Sequence, residues 1–258
     1  MKGIAFAPLD EAAVEAGYAA PTCSLVEGSA SSSLVCFERF PLWAVRARLE
    51  PHSTLAWSEP HGDEAVYVAD GSIAYGDRVC PPGGAVVVEA GTTARVTAAA
   101  GASVLHFGPW DAEPPSDGRY GPPAPGPRRV HVVGPGGTYA AVEPGRDTRM
   151  FADSSCETCR ITLFLTGRDS RYVSTRHSHS ADELMILVAG EVRFGSRRLH
   201  TGDAVVVAGG YRYGFRSGPE GFAFLNYRRD ASEQTIDGDV ARPEGGAAHG
   251  LTLVNDIR

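Results

Sequence analysis

Lysine is almost absent from this chain: Lys2 is the one lysine among 24 basic residues, and 31 acidic residues leave a net charge of −7. Such a balance lacks the clustered positive charge of a nucleic-acid surface, and no helix-turn-helix pattern or basic patch is visible. Also missing is any apolar run near the ~18 residues that span a bilayer. The opening MKGIAFAPLDEAAVEAG carries one lysine, a short apolar stretch broken at Pro8, and then acids, which makes a poor signal peptide. Cysteine is scarce. Five residues, an odd number, fit a reducing compartment better than a disulfide framework, and the cytoplasm is the expected location.

Gly (31) and Pro (18) are plentiful and spread through the sequence, which favours short strands joined by turns over long helices. The 258 residues suffice for one large domain or two of about 130. Between Pro109 and Pro127 the chain reads PWDAEPPSDGRYGPPAPGP, seven prolines in nineteen residues, and can sustain neither a helix nor a central strand. This linker divides the sequence near its middle.

The halves on either side are related. EAVYVADGSIAYGDRVCPPGGAVVVEAG from Glu64 and ELMILVAGEVRFGSRRLHTGDAVVVAGG from Glu183 align without a gap at an offset of 183 − 64 = 119. A repeat this long points to a duplicated domain and not to a solenoid unit. Within each half, WAVRARLE (43–50), AVYVA (65–69), AVVVE (85–89) and SVLHF (103–107), then RITLFLT (160–166), ELMILVA (183–189), EVRF (191–194), AVVVA (204–208) and FAFLNY (222–227), read as strands. LDEAAVEAG (9–17) reads as one short helix capped by Gly17. The expected fold class is all-β.

The stretch RHSHSADE (176–183) raises the question of chemistry. Residues two apart on a strand share a face, so His177 and His179 project together, and Glu183 can converge on them from the start of the next strand. Two imidazoles and a carboxylate suit Fe(II), Mn, Ni, Cu or Zn, whereas an exposed polar turn would account for the same residues without an ion.

HSHSADELMILVAG runs His-x-His, three residues, Glu, six residues, Gly, and resembles the first motif of the cupin superfamily. GDAVVVAGGYRY (202–213) resembles the second, matching at Gly202, Asp203 and Gly210, with Ala208 in the proline position and Tyr213 where the last histidine ligand belongs. The resemblance implies two tandem jelly-roll β-barrels: a degenerate barrel over 1–108, the linker over 109–129 and a metal-binding barrel over 130–258. It also implies one divalent transition metal per chain, Fe(II) favoured with Zn, Mn or Ni as alternatives, held by His177, His179 and Glu183. Tyr213 is the expected catalytic residue, either a ligand, a group orienting substrate or water, or an aromatic plug.

The first half keeps little of this. At the repeat offset His177, His179 and Tyr213 correspond to Ser58, Pro60 and Ala94, and Glu64 alone survives; His52 and His61 are surface or packing residues, and the half is expected to serve as scaffold and dimerisation surface of a homodimer. Arg160, Arg171, Arg228 and Asn226 are candidates for binding an anionic substrate, and Met185, Leu187, Phe215 and Phe224 for an apolar lining. Cys156 and Cys159 form CETC with no second such pair, and read as structural thiols; His200 reads as exposed. The leading expectation is an Fe(II) dioxygenase acting on a small molecule with dioxygen beside it. A non-redox isomerase or lyase is the alternative, and a non-catalytic binding or storage-like protein the third possibility.

Overall fold

A computed structural model describes residues 3–58, 60–113, 122–153, 156–236, 242–243 and 251–254. It is built from antiparallel strands throughout, with a single 3-10 turn, Leu9–Glu11, as the helical element of the described residues. No helix among the described residues is long and apolar enough to cross a membrane.

Two barrels form. The first pairs a seven-stranded sheet, centred on Glu64–Gly71 and Ala102–Pro109, with a five-stranded sheet that contains Ser53–Trp57 and Ala94–Ala98. The second pairs a nine-stranded sheet, centred on Glu183–Phe194 and Arg216–Arg228, with a small sheet that contains His177–His179 and Glu233–Ile236. The segments read separately as 183–189 and 191–194 are one continuous strand, bulged around Gly190.

Alternation explains why the central strands are apolar on both faces. Ala65 and Tyr67 pack with Leu184 and Ile186 in a core shared by the two barrels. Their neighbours Val66 and Val68 fill the first barrel, and Met185 and Leu187 fill the second. A strand buried on both sides has no need of polar residues, so AVVV appears in each half. Phe107 pairs with Ala65, and Tyr227 pairs with Leu184, the repeat counterpart of Ala65. These two equivalent rings stack on each other 5.7 Å apart, which puts a local two-fold relation between the barrels.

Two strands cross the boundaries expected from sequence. Ile4–Ala7 pairs with Ala204–Val207 of the second barrel, and Val130–Val133 pairs with Ala85–Val88 of the first. Each AVVV strand therefore takes its outer neighbour from the other half. This exchange also accounts for the missing helix over 9–17. Nine residues are too few for a helix to stand without tertiary support. The chain turns at Leu9–Glu11 and returns in extended form at Glu15–Ala16, pairing with Ala30–Cys36. Gly17 does adopt a positive φ of 103°, but after a strand. Of the Pro-rich linker, residues 114–121 lie outside the described residues.

Gly190 and Gly71, repeat counterparts, sit at φ 71° and 72° where a Cβ would run into the carbonyls of Gly221 and Gly101. Gly195 has φ 60° with open space around it. In urea unfolding, Gly195→Ala is expected to cost about 1 kcal/mol, the left-handed penalty alone. Gly190→Ala, which adds the clash, should cost roughly 3 kcal/mol or more.

Candidate metal centre

Glu183 begins a central strand of the second barrel, and strand parity turns it to the same side as Met185, into the barrel interior. An ionised carboxylate buried there must be compensated. Tyr213 donates its hydroxyl to Oε1 at 2.5 Å, Asn226 donates Nδ2 to Oε2 at 2.7 Å, and an Arg228 guanidinium nitrogen lies 2.9 Å from Oε2. Burial alone would raise the Glu183 pKa; the charges of His179 and Arg228 and the bonds from Tyr213 and Asn226 overcome it and hold the group below the ordinary carboxylate range.

His177 and His179 occupy the short strand His177–His179, with ring centroids 5.0 Å apart, both rings buried. His177 hydrogen-bonds the Thr175 carbonyl through Nδ1 at 2.7 Å, which fixes the proton there and leaves Nε2 as the lone-pair nitrogen. Burial lowers the His177 pKa, so the ring is neutral at neutral pH. His179 Nε2 lies 3.9 Å from Glu183 Oε2. Tyr213 exchanges backbone hydrogen bonds with His177, and its ring lies 4.5 Å from the His177 ring.

A cavity of about 290 Å³ lies beside these side chains. His177, His179, Tyr213, Asn226 and Arg228 line it, along with Arg146, Arg168, Phe164, Phe215 and Phe224. Arg168 is held by Thr148, Thr166 and the Gly167 carbonyl and stacks over Tyr172 at 5.1 Å. Burial lowers its pKa, though a guanidinium keeps its charge in proteins.

The donor set fits a divalent ion in kind: a lone-pair imidazole at His177, a second imidazole within 3.9 Å of the carboxylate, and the ionised Glu183. Asn226 Oδ1 adds a buried acceptor that has no hydrogen-bond partner among the described residues. The trio is looser than a closed site, however. Among the described residues the metal-ligating group whose donors all lie within 4.8 Å of one another is a different one, Glu89, Cys156 and Cys159. Glu183 does not itself line the cavity, and both its oxygens already accept hydrogen bonds, Oε1 from Tyr213 and Oε2 from Asn226 and Arg228.

Several sequence expectations shift. Asn226 and Arg228 enter the site as partners of Glu183, whereas Arg171 is exposed and paired with Asp169. Arg160 is buried but spends its guanidinium on the Cys156, Cys159 and Pro122 carbonyls, away from the cavity. Phe215 and Phe224 line the cavity, but Met185 and Leu187 lie in the packed core behind it. Arg146 and Arg168 were not anticipated, because alternation along one strand cannot show which wall of a barrel it builds. His200 is exposed.

The first barrel surrounds the equivalent carboxylate, Glu64, with different partners. Ala94 pairs with Trp57 as Tyr213 pairs with His177, so the His177 counterpart is Trp57 and not Ser58. His106 sits opposite Val66 as Asn226 sits opposite Met185. Trp57 Nε1 and His106 Nε2 both bond Glu64 Oε2, at 2.6 and 2.8 Å, and Thr22 donates to Oε1. His61 is buried and bonded to the Gly62 and Thr92 carbonyls. Indole, imidazole and hydroxyl groups together occupy both Glu64 oxygens.

The fold is a double jelly-roll β-barrel. The chain superposes on an oxalate decarboxylase of Bacillus subtilis with TM-score 0.61 at 15% identity, over 87% of this chain and 76% of that one. An oxalate decarboxylase of Lactobacillus farciminis in a formate complex gives 0.64 at 14% identity, over 90% and 88%. Another similar structure of the Bacillus subtilis enzyme comes from work on its Mn(II) centres, with TM-score 0.59 at 15% identity, over 87% and 77%. No family model and no curated protein matches the sequence.

Replacing Arg228 by Met leaves the buried carboxylate without its cation and is expected to cost about 3 kcal/mol in denaturant unfolding. Adding Glu183→Gln to the same chain should recover most of that loss, since the uncompensated charge is then gone.

Proposed function

We propose that the second barrel is a metal-dependent enzyme of the non-redox, lyase-like kind, acting on a small carboxylate anion. The observation that carries this reading is the cavity of about 290 Å³ with Arg146, Arg168 and Arg228 around the two histidines. Guanidinium groups match carboxylates bidentately, and the volume admits a small organic acid. The similarity to proteins described as oxalate decarboxylases, one studied for Mn(II) centres, supports the same choice over the Fe(II) dioxygenase reading.

His177, His179 and Glu183 would hold the ion, with Mn(II) ahead of Zn, Ni or Fe(II). A bound divalent ion supplies Lewis acidity that stabilises the anion left when a bond beside a carboxylate breaks heterolytically. Arg146 and Arg168 orient the carboxylate, and Phe164, Phe215 and Phe224 exclude water from it. Tyr213 delivers the proton. It already donates a hydrogen bond to Glu183, and the ring is fixed by His177 and Phe215.

A second reading rests on Arg228. It already neutralises Glu183, so the barrel can also act as a metal-free binding site for an anion.

Elemental analysis of protein purified without added metal, compared with His177→Ala, separates the two: the variant should carry one ion fewer per chain, and equal content would end the metalloenzyme reading. Once small carboxylic acids have been screened for turnover, Tyr213→Phe should retain the ion and lose ~10²–10⁴ in kcat, as expected for a positioned proton donor. Turnover should be unchanged without dioxygen. Strict oxygen dependence would restore the dioxygenase reading.

A further inference from the structure

The cluster of donors closed to within 4.8 Å lies at the seam of the two barrels and not in the cavity. Glu89 follows the strand Ala85–Val88 of the first barrel and is fully buried. His131 lies on the exchanged strand Val130–Val133 beside it, with Nε2 2.7 Å from Glu89 Oε1. Cys156 and Cys159 come from the loop between Arg146–Asp153 and Thr162–Arg168 of the second barrel. Cys156 Sγ is 3.5 Å from the same Glu89 oxygen. Cys159 is buried, and Cys156 is part-buried.

The loop is shaped before any ion arrives. Arg160 donates to the Cys156 and Cys159 carbonyls at 2.5 and 3.0 Å, and its backbone N–H is fixed by Asp63 at 2.9 Å. Arg128 donates to the Thr158 carbonyl, and the Ala124 N–H to that of Glu157 at 2.7 Å. Thr158 and the Arg129 N–H bond Glu89. Cys-x-x-Cys brings two sulfurs to one side of a tight loop, the usual half of a tetrahedral zinc site. The other half need not be near in sequence, and here the fold supplies it.

We propose that Cys156, Cys159, Glu89 and His131 form a structural site for a thiophilic divalent ion of the Zn(II) class, which clamps the second barrel's loop to the exchanged strand of the first. Two sulfurs, a carboxylate oxygen and an imidazole are a borderline-soft set that favours Zn(II) over the oxygen-preferring Mn(II) or Mg(II). The seam ion is independent of the cavity ion, which has no thiol near it.

The test is a titration of the reduced, metal-stripped full-length chain with Co(II), followed by Zn(II). A thiolate-to-cobalt charge-transfer band should rise, saturate at one ion per chain and vanish on adding Zn(II). The same band should persist in His177→Ala and be lost in Cys156→Ser and Cys159→Ser. Glu89→Gln should weaken Zn(II) at least about tenfold. Zn(II) should also raise the melting temperature of the wild-type chain, since a ligand that binds only the folded state stabilises it. If the serine variants fail to fold, the wild-type titration alone decides. Absence of the band in the reduced wild-type chain, or its survival in Cys156→Ser, overturns the site. So does spontaneous closure of Cys156 to Cys159 as a disulfide with no metal affinity in the reduced form.

Discussion

A carboxylate has to be kept ionised inside a β-barrel, and much of the interior follows from how that is done. The duplication placed one such group in each half, Glu64 and Glu183, at the start of a central strand and pointing inward. Both are buried, so each must find donors within hydrogen-bond reach or protonate. The first barrel answers with Trp57, His106 and Thr22, which bond both oxygens of the carboxylate. The second answers with Tyr213, Asn226 and Arg228 and leaves two histidines facing a cavity. One inherited charge is thus a packing problem in one barrel and a potential site in the other.

The shared core imposes the second constraint. The central sheets of the two barrels are buried on both faces, so their strands cannot shift by one residue without moving Glu64 or Glu183 from the barrel interior into the interface. Reciprocal pairing of Ile4–Ala7 and Val130–Val133 with the two AVVV strands covers edges that would otherwise lie open. Register, and with it the position of each carboxylate, is therefore held by contacts made across the two halves.

That dependence separates what could be read from the sequence from what could not. The strand period, the 119-residue repeat and the His-x-His spacing are local or self-similar, and they point to the two barrels and the candidate residues. The exchange of edge strands is non-local: nothing in IAFA says that its partner is AVVV two hundred residues away. The 9–17 segment misled for the same reason, because its helical pattern competes with strand pairing visible only in the fold. The mapping of His177 to Ser58 failed by one residue, since an ungapped offset does not register the change in spacing between the Trp57 and Glu64 pair and the His177 and Glu183 pair. For Glu89 and His131 the signal was absent altogether: each is an unremarkable residue until Cys156 and Cys159 are brought beside it.

The Arg228–Glu183 pair bears on how the cavity takes its ligands. With Glu183 already matched by a guanidinium, and Arg146 and Arg168 on the wall, the pocket carries positive charge before any ion enters. A divalent cation adds to that charge in a poorly solvated space, where like charges a few ångströms apart cost several kcal/mol. A carboxylate anion relieves the same repulsion. Cation and anion are then expected to bind each more tightly in the presence of the other, because each cancels the charge that opposes its partner. An ion that took Glu183 as a ligand would have to share both carboxylate oxygens, Oε1 with Tyr213 and Oε2 with Asn226 and Arg228.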